Sequence, residues 1–315
     1  MPKIITVTLN TAIDHCLTLA TLNSSDALLA EDSQEFAAGK GINVAKALAS
    51  LGCTSQALGW VGQQHHSLFE SLHSPTLQTQ FLSIAGKTRS NLTLRALNPA
   101  QEIHIRTQGY SVNLNDCTRF LELLQQRLEP DDLVILSGSL PPGCPEDFYA
   151  ALIHVCHQQQ AVTLLDSSGR CLAEGIPAKP DYLKPNLSEL ETLVGERLPD
   201  IPSIIQASQA LLHAGIRQII VSLGAEGILH VTREHSLHAY IAVATTPVST
   251  IGCGDALVAG WAYAMLHPQP EVDPVKFALC CATANLWTLE PGRLERHKVQ
   301  SYLAQVRACA YPTAK

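Results

Sequence analysis

An α/β fold, with a mostly parallel sheet covered by helices on both faces, is what this chain of 315 residues predicts. Short apolar runs alternate with amphipathic stretches, the rhythm of buried parallel strands joined by crossover helices. Glycine-rich and small polar segments follow those runs directly, where the carboxyl ends of parallel strands make ligand sites. With 46% hydrophobic and 16% charged residues, the chain can bury a large core.

The first strand is expected at Ile4 to Leu9, an apolar and β-branched run directly after Met1-Pro2-Lys3. Further short apolar runs predict strands at Ala57 to Val61, Leu133 to Leu136, Val162 to Leu165, Tyr182 to Lys184, Gln218 to Ser222 and Ile228 to Val231. Between them, amphipathic patterns predict helices at Ile42 to Leu51, Cys117 to Arg127, Glu146 to Gln158, Leu187 to Val194, Ile204 to His213 and Ala256 to Leu266. A last helix, Pro274 to Leu289, has Asp273 as N-cap and proline at its first position. Residues 14–36 and 88–108 break the rhythm and read as antiparallel strands forming one small sheet over the main one. There, Ser90 to Leu97 alternates in part, Asn98-Pro99-Ala100-Gln101 makes a turn, and Glu102 to Arg106 returns. No repeat, low-complexity tract or Pro/Gly linker marks off a second domain, so residues 1–315 are expected to form one.

Composition excludes several classes. A net charge of -7 argues against a nucleic-acid surface, which needs clustered Lys and Arg. The longest apolar runs, such as Ala256 to Leu266, fall short of the roughly 20 residues that cross a bilayer. The first residues show no separate apolar segment and no small-residue cleavage site, so the cytoplasm is the expected location. Ten cysteines without a C-x-x-C pair make no disulfide framework, and Cys280-Cys281 read as small core residues. His154 to His157 and His235 to His238 lack a partner cluster of metal-ligand spacing, and His65-His66 reads as a solvated helix start.

The run Thr250-Ile251-Gly252-Cys253-Gly254-Asp255-Ala256 pairs a bare backbone with a carboxylate at the start of an apolar helix. Its glycines let consecutive N–H groups face a cavity that the helix dipole makes favourable for an anion. Asp255 would repel a phosphate, but it is well placed to take a proton from an attacking hydroxyl, which reads as phosphoryl transfer. The alternative is a glycine-rich turn whose aspartate caps the helix. Asp14, after the first strand, can project toward a polyol or serve as a turn residue. Ala38-Gly39-Lys40-Gly41-Ile42-Asn43 is a tight turn opening a helix, its glycines allowing close approach and Asn43 able to hydrogen-bond hydroxyls. Ser137 to Gly143 and Asp166-Ser167-Ser168-Gly169 carry small polar groups at strand ends. In Lys184-Pro185-Asn186-Leu187-Ser188-Glu189, Asn186 and Glu189 share a helix face and suit either a water-rich Mg²⁺ or a capping box. Gly224 and Gly227, after Ser222, could let a nucleotide lie against the backbone.

Together these motifs resemble the ribokinase-like PfkB family of sugar kinases, from Thr8 to about Asn285, and most closely its 1-phosphofructokinase and tagatose-6-phosphate kinase branch. The matching runs are T-L-N-x-A-I-D at Thr8 to Asp14, G-K-G-I-N-V-A at Gly39 to Ala45 and T-R-x-N at Thr88 to Asn91. S-G-S-L-P-P-G at Ser137 to Gly143, K-P-N-x-x-E at Lys184 to Glu189 and G-x-G-D at Gly252 to Asp255 complete the set. The resemblance implies a three-layer α/β/α kinase that uses ATP and Mg²⁺ and has the small sheet as a β lid, which in many relatives pairs with a second subunit. It implies Asp255 as catalytic base and Gly252, Cys253 and Gly254 as the anion hole. Asp14, Gly39 and Asn43 would hold the sugar, with Lys40 and Ser139 beside it. Asn186 and Glu189 would govern Mg²⁺, with Lys184, Asn186, Ser222, Gly224, Gly227 and Asn285 toward the nucleotide.

Departures from the family pattern concern the acceptor. Thr11 stands where proline is usual, Ala38 where glycine is and Cys253 where alanine or serine is. Cys253 is a mild change because the anion hole uses its backbone, whereas Ala38 narrows the sugar site. Asp26-Ala27-Leu28-Leu29-Ala30-Glu31 has no basic residue where phosphosugar relatives carry them, and Ile103-His104-Ile105-Arg106 replaces the usual T-E-I-N. A sugar phosphate then depends on Arg89 and Arg106, with Arg95 and Lys40 as helpers, unless these arginines are solvated edge charges. The expected reaction is phosphorylation of fructose 1-phosphate to fructose 1,6-bisphosphate. Tagatose 6-phosphate, an unphosphorylated sugar or a nucleoside are alternative acceptors, and a non-catalytic sugar sensor is the alternative class. A glycosidase would leave the glycine-rich anion site unexplained.

Overall fold

The computed structural model describes residues 2–22, 27–268 and 270–312, so Asp26 of the first lid excursion lies outside the described residues. The first half of the chain builds β1 (Ile4–Thr8), β2 (Ala12–Leu19), β3 (Asp32–Ala38), α1 (Lys40–Ser50), β4 (Ser55–Gly62), α2 (His66–Glu70), β5 (Leu77–Ile84), β6 (Arg89–Leu97) and β7 (Ala100–Arg106). Next come α3 (Leu114–Arg127), β8 (Leu133–Ser137), α4 (Phe148–Gln158), β9 (Val162–Asp166), α5 (Gly169–Gly175), β10 (Tyr182–Leu183), α6 (Leu187–Val194), α7 (Ile201–His213) and β11 (Gln218–Ser222). The chain closes with β12 (Ile228–Val231), β13 (Ser236–Tyr240), α8 (Cys253–Leu266), α9 (Pro274–Asn285), α10 (Arg296–Leu303) and β14 (Arg307–Tyr311).

The ten-stranded main sheet has the order β14-β13-β12-β11-β10-β9-β8-β1-β4-β5. From β5 to β11 all neighbours run parallel, and β12, β13 and β14 add antiparallel strands at one edge. Successive strand residues face opposite layers: Ile5, Val134 and Ile219 pack under α3, α4, α6 and α7, whereas Ile4, Leu133 and Ile220 pack under α1, α8, α9 and α10. Each fully buried aliphatic side chain contributes about 1.5–3 kcal/mol, and both layers are built from them. The expected three-layer α/β/α arrangement is present.

Helix α8 is apolar on all sides because α1, α9 and the sheet surround it. A Cβ on Gly260 would lie 2.8 Å from both Ala278 Cα and Cys281 Sγ, so glycine there lets α9 approach the backbone. Cys280 and Cys281 are core residues, fully buried in that contact. Asp273 caps α9 by accepting from Val275 and Lys276 N–H, but the helix stops at Asn285 and not at Leu289 as the pattern suggested.

The small sheet has the order β3-β2-β6-β7. Two antiparallel hairpins, β2–β3 and β6–β7, join through a parallel β2–β6 pairing. The sheet joins the main sheet at the carboxyl ends of β1 and β5: β2 follows β1, Ala38 leads directly into α1, and β6 follows β5. Strands β5, β13 and β14 and helices α2, α5 and α10 lack the strong patterns of the rest and are additions to the expected elements.

Candidate active site

Helix α8 opens at Cys253 after Gly252, whose φ of 81° is left-handed. A Cβ at Gly252 would come within 2.6 Å of Pro291 Cβ, so the turn needs glycine for both conformation and space. No side chain caps this helix end, which leaves its first-turn N–H groups and the positive end of its dipole for an anion. Asp255, 6% exposed, is not the cap: its Oδ2 accepts a 2.8 Å hydrogen bond from Asn43 Nδ2 on α1. Burial pushes its carboxyl up to about 6, against the pull of Lys40 and with the push of Asp166. A carboxyl raised toward neutrality therefore sits beside an uncapped helix start.

Asp166, at the end of β9, is fully buried and accepts from Lys40 Nζ at 3.2 Å and Lys184 Nζ at 3.0 Å. Parallel pairing of β9 with β10 brings Asp166 and Lys184 to one edge, and the start of α1 delivers Lys40. Burial alone would raise the Asp166 carboxyl, but the two ammonium groups outweigh it and hold it below the usual value. Asp166 in turn holds Lys40 well above the ordinary lysine range. Two cations share one buried anion, so positive charge is left over toward Gly254, where a Cβ would lie 3.8 Å from Lys184 Nζ. Asp166 was not among the sequence-derived site residues. Its signal was present, a carboxylate closing an apolar strand.

Asn186 and Glu189 form a reciprocal capping box on α6, each side chain 2.8 Å from the other's backbone N–H. Glu189 nevertheless acts electrostatically on Lys40. Ser222 N–H bonds Pro185 carbonyl and bridges Asn186, joining the β11 end to this junction. Gly224 faces open space, whereas Gly227 is required by packing, since a Cβ there would lie 2.1 Å from the Ala239 carbonyl.

On the acceptor side, Asp14 and Asn91 are register partners on β2 and β6, and Asn91 Nδ2 donates to Asp14 Oδ1 at 2.7 Å. Burial raises the Asp14 carboxyl, opposed by that hydrogen bond. Arg89 is no solvated edge charge: Nε and Nη2 donate to the Asn10 carbonyl at 3.3 and 3.2 Å and Nη1 to Asn91 Oδ1 at 3.1 Å. Asn10 also donates to the exposed Ser139 hydroxyl at 3.0 Å. Asn10 and Asn91 lay inside the quoted motifs without an assigned role. Gly39 and Gly41 answer to packing on β1, where added Cβ atoms would lie 2.6 Å from Thr8 side-chain atoms. A cleft between the small sheet and the loop before α8 is lined by Asp14, Asn91, Glu102, His104, Arg106, Ser249 and Ile251.

Asn285, expected along the nucleotide, has its side-chain amide engaged by neighbouring backbone. Fully buried, it donates to the Ile251 carbonyl at 2.8 Å and accepts from Gly292 N–H at 2.9 Å, so it holds the turn that leads into α8. Cys253 is held protonated by burial, which raises its thiol to about 11.

An uncapped, glycine-led helix start beside a buried carboxylate suits a phosphotransferase acting on carbohydrate hydroxyls. The chain belongs to the pfkB family of carbohydrate kinases, whose model matches residues 7–292; a kinase of this family uses ATP. It is 33% identical over 313 residues to 1-phosphofructokinase of Vibrio cholerae serotype O1, across 99% of this chain and 98% of the relative. To 1-phosphofructokinase of Haemophilus influenzae it is 34% identical over 279 residues, 88% and 89% of the two chains. Phosphofructokinase-2 from Escherichia coli, solved with substrates and products, superposes with a TM-score of 0.86 at 25% identity, across 96% of this chain and 98% of that one.

Proposed function

We propose that the protein transfers the γ-phosphoryl group of ATP to a hydroxyl of fructose 1-phosphate, giving fructose 1,6-bisphosphate and ADP, in the cytoplasm. The observation that carries this reading is Asp255, a buried carboxylate held by Asn43 at the uncapped start of α8. The relatives named 1-phosphofructokinase support the choice of acceptor. A hydroxyl is a poor proton donor in the ground state, so Asp255 takes its proton late, as the new P–O bond forms and the bond to ADP breaks. Most of the rate then comes from positioning and charge neutralisation.

In this reading Asp14, Asn43, Gly39 and Ser139 orient the sugar, with Asn91 and Arg89 fixing Asp14. The N–H groups of Gly252, Cys253 and Gly254, with Lys40 and Lys184, receive the phosphoryl oxygens. Ser222, Gly224 and Gly227 border the nucleotide. Mg²⁺ fits the donor set: Asp166 Oδ2 is buried without a hydrogen-bond partner and Glu189 lies near Lys40, as suits a cation held by few carboxylates and several waters. Asn186, Glu189 and Asp166 would hold it, and it would neutralise nucleotide charge. Ten free cysteines suit a reducing compartment.

The chain is read as one kinase domain whose four-stranded sheet is the lid. Leu29, Leu97 and Ile103 are exposed on the lid and support pairing with a second copy; a monomer in sedimentation would remove that part. ADP release with fructose 1-phosphate, fructose 6-phosphate, tagatose 6-phosphate, fructose and ribose tests the acceptor. The highest kcat/KM is expected with fructose 1-phosphate, and a higher value with fructose or ribose would overturn the choice.

A further inference from the structure

We propose that Tyr110 is a positioning residue for the acceptor: its buried hydroxyl fixes the fork Leu9-Asn10-Thr11, on which the placement of Asp14 and Ser139 depends. This rests on the reading above in which those two residues orient the sugar. The main sheet and the small sheet part at this fork. Pairing of β1 with β4 runs as far as Thr8 and Gly59, after which β1 continues through Thr11 into β2 while β4 goes on to Gly62. Leu9 and Trp60, both fully buried, come just past the last paired residues, so their carbonyls need partners from elsewhere.

Tyr110 supplies them. It stands on the segment that leaves the small sheet after β7 and runs to α3, and it is 3% exposed. Its hydroxyl donates toward the Trp60 carbonyl at 2.8 Å and the Leu9 carbonyl at 2.9 Å, and accepts from Thr11 N–H at 3.2 Å. Thr11 Oγ1 donates to the same Trp60 carbonyl at 2.7 Å and lies 3.2 Å from the Tyr110 hydroxyl. Burial raises the phenol to about 12, so the group stays a donor at neutral pH. The chain's entry into the small sheet and its exit are thereby joined at one oxygen. Thr11 stands where proline is usual in the family, and a proline has neither the N–H nor the hydroxyl that this junction uses.

Asn10, between the two clamped residues, carries the constraint toward the site. Its carbonyl accepts from Arg89 Nε and Nη2, Arg89 Nη1 donates to Asn91 Oδ1, and Asn91 Nδ2 donates to Asp14 Oδ1. Its side chain donates to Ser139 Oγ at 3.0 Å and to the Leu140 carbonyl at 3.4 Å. The Tyr110 segment bears on the same two places. A Cβ on Gly109 would lie 2.6 Å from Arg89 N, and Val112 N–H donates to the Pro142 carbonyl at 2.9 Å. A shift of Asn10 therefore moves Asp14 and Ser139 together. None of these contacts involves Asp255, Lys184 or residues 222–227, so the consequence falls on the acceptor and not on ATP.

The test is steady-state kinetics of Tyr110→Phe and Thr11→Val with fructose 1-phosphate and ATP, together with urea unfolding of each variant. Tyr110→Phe keeps the ring and removes the hydroxyl, and should raise KM for fructose 1-phosphate about threefold to tenfold, the reach of one hydrogen bond. Thr11→Val should raise it about twofold to fivefold. KM for ATP should stay within about twofold in both. Because the two side chains meet at one fork, the double variant should lose less than the product of the single losses. Thr163→Val is the control for general loosening: it removes a buried hydroxyl bonded to Asp181 at the amino end of β9, and should lower the urea midpoint with the acceptor KM unmoved. An acceptor KM unmoved in Tyr110→Phe, or in Thr11→Val should Tyr110→Phe not fold, overturns the inference. An acceptor KM raised as much by Thr163→Val overturns it too. A wild-type KM for fructose 1-phosphate in Asp14→Asn would instead overturn the underlying reading, and this inference with it.

Discussion

Asn43 Nδ2 lies 2.8 Å from Asp255 Oδ2, tying the first turn of α1 to the first turn of α8 and favouring the charged form of the carboxylate. Asp255 must be ionised to take a proton, so the rate should fall as pH drops through about 6, the value to which burial pushes this carboxyl. A sugar phosphate also ionises near 6, and Asn43→Ala separates the two. Loss of a hydrogen bond to a charged group should move an Asp255 limb up by about one unit and leave a substrate limb in place. A limb that stays at its wild-type position in Asn43→Ala would assign it elsewhere.

Asp166→Asn leaves Lys40 and Lys184 buried or half-buried without their shared counter-ion. Removing one partner of a buried ion pair costs about 3–5 kcal/mol, and here the loss should appear as a lower urea midpoint together with a lower kcat. Stability within about 1 kcal/mol of wild type would mean that water already screens both lysines.

Glu189 has two roles that one substitution separates. Glu189→Gln keeps an oxygen for the Asn186 N–H and so preserves the capping box, while a neutral amide attracts a hydrated cation less. The Mg²⁺ concentration for half-maximal rate should rise with little change in melting temperature. An unchanged Mg²⁺ dependence would confine Glu189 to capping.

His230, packed against Trp261 and His235, is pulled down to about 4 by burial, with His235 adding to the effect and Asp273 opposing it. A depressed histidine stabilises the fold above its unfolded value near 6.5, and that contribution is lost as pH falls through about 4. Urea unfolding should show about 3 kcal/mol of acid-sensitive stability over that window, and His230→Leu should flatten it. Asp255 acts in the opposite sense: its raised carboxyl favours the fold at acid pH, a contribution lost as pH rises through about 6. An equal slope in wild type and His230→Leu would clear His230 of the effect.

Local signals carried most of what the sequence showed. Gly252 to Asp255 was legible because a left-handed glycine, an uncapped helix start and a carboxylate lie within four residues. The alternation of strands and helices was legible because both sheet faces are buried. Asp166 was not, since its role arises only when β9, β10 and α1 converge on it. The engagement of Arg89 by the Asn10 carbonyl, and of Asn285 by the Ile251 carbonyl, are likewise contacts between distant segments. Edge strand β14, largely exposed, lacks the apolar run by which β1 announced itself.

ADP release from ATP in the presence of fructose 1-phosphate, compared between wild type and Asp255→Asn, tests the central claim most directly. The wild type is expected to turn over saturably, with fructose 1,6-bisphosphate as product, and a folded variant that still binds nucleotide to have a kcat lower by roughly 10² or more. Wild-type kcat in Asp255→Asn, or no turnover of any sugar or sugar phosphate by the wild type, would contradict it.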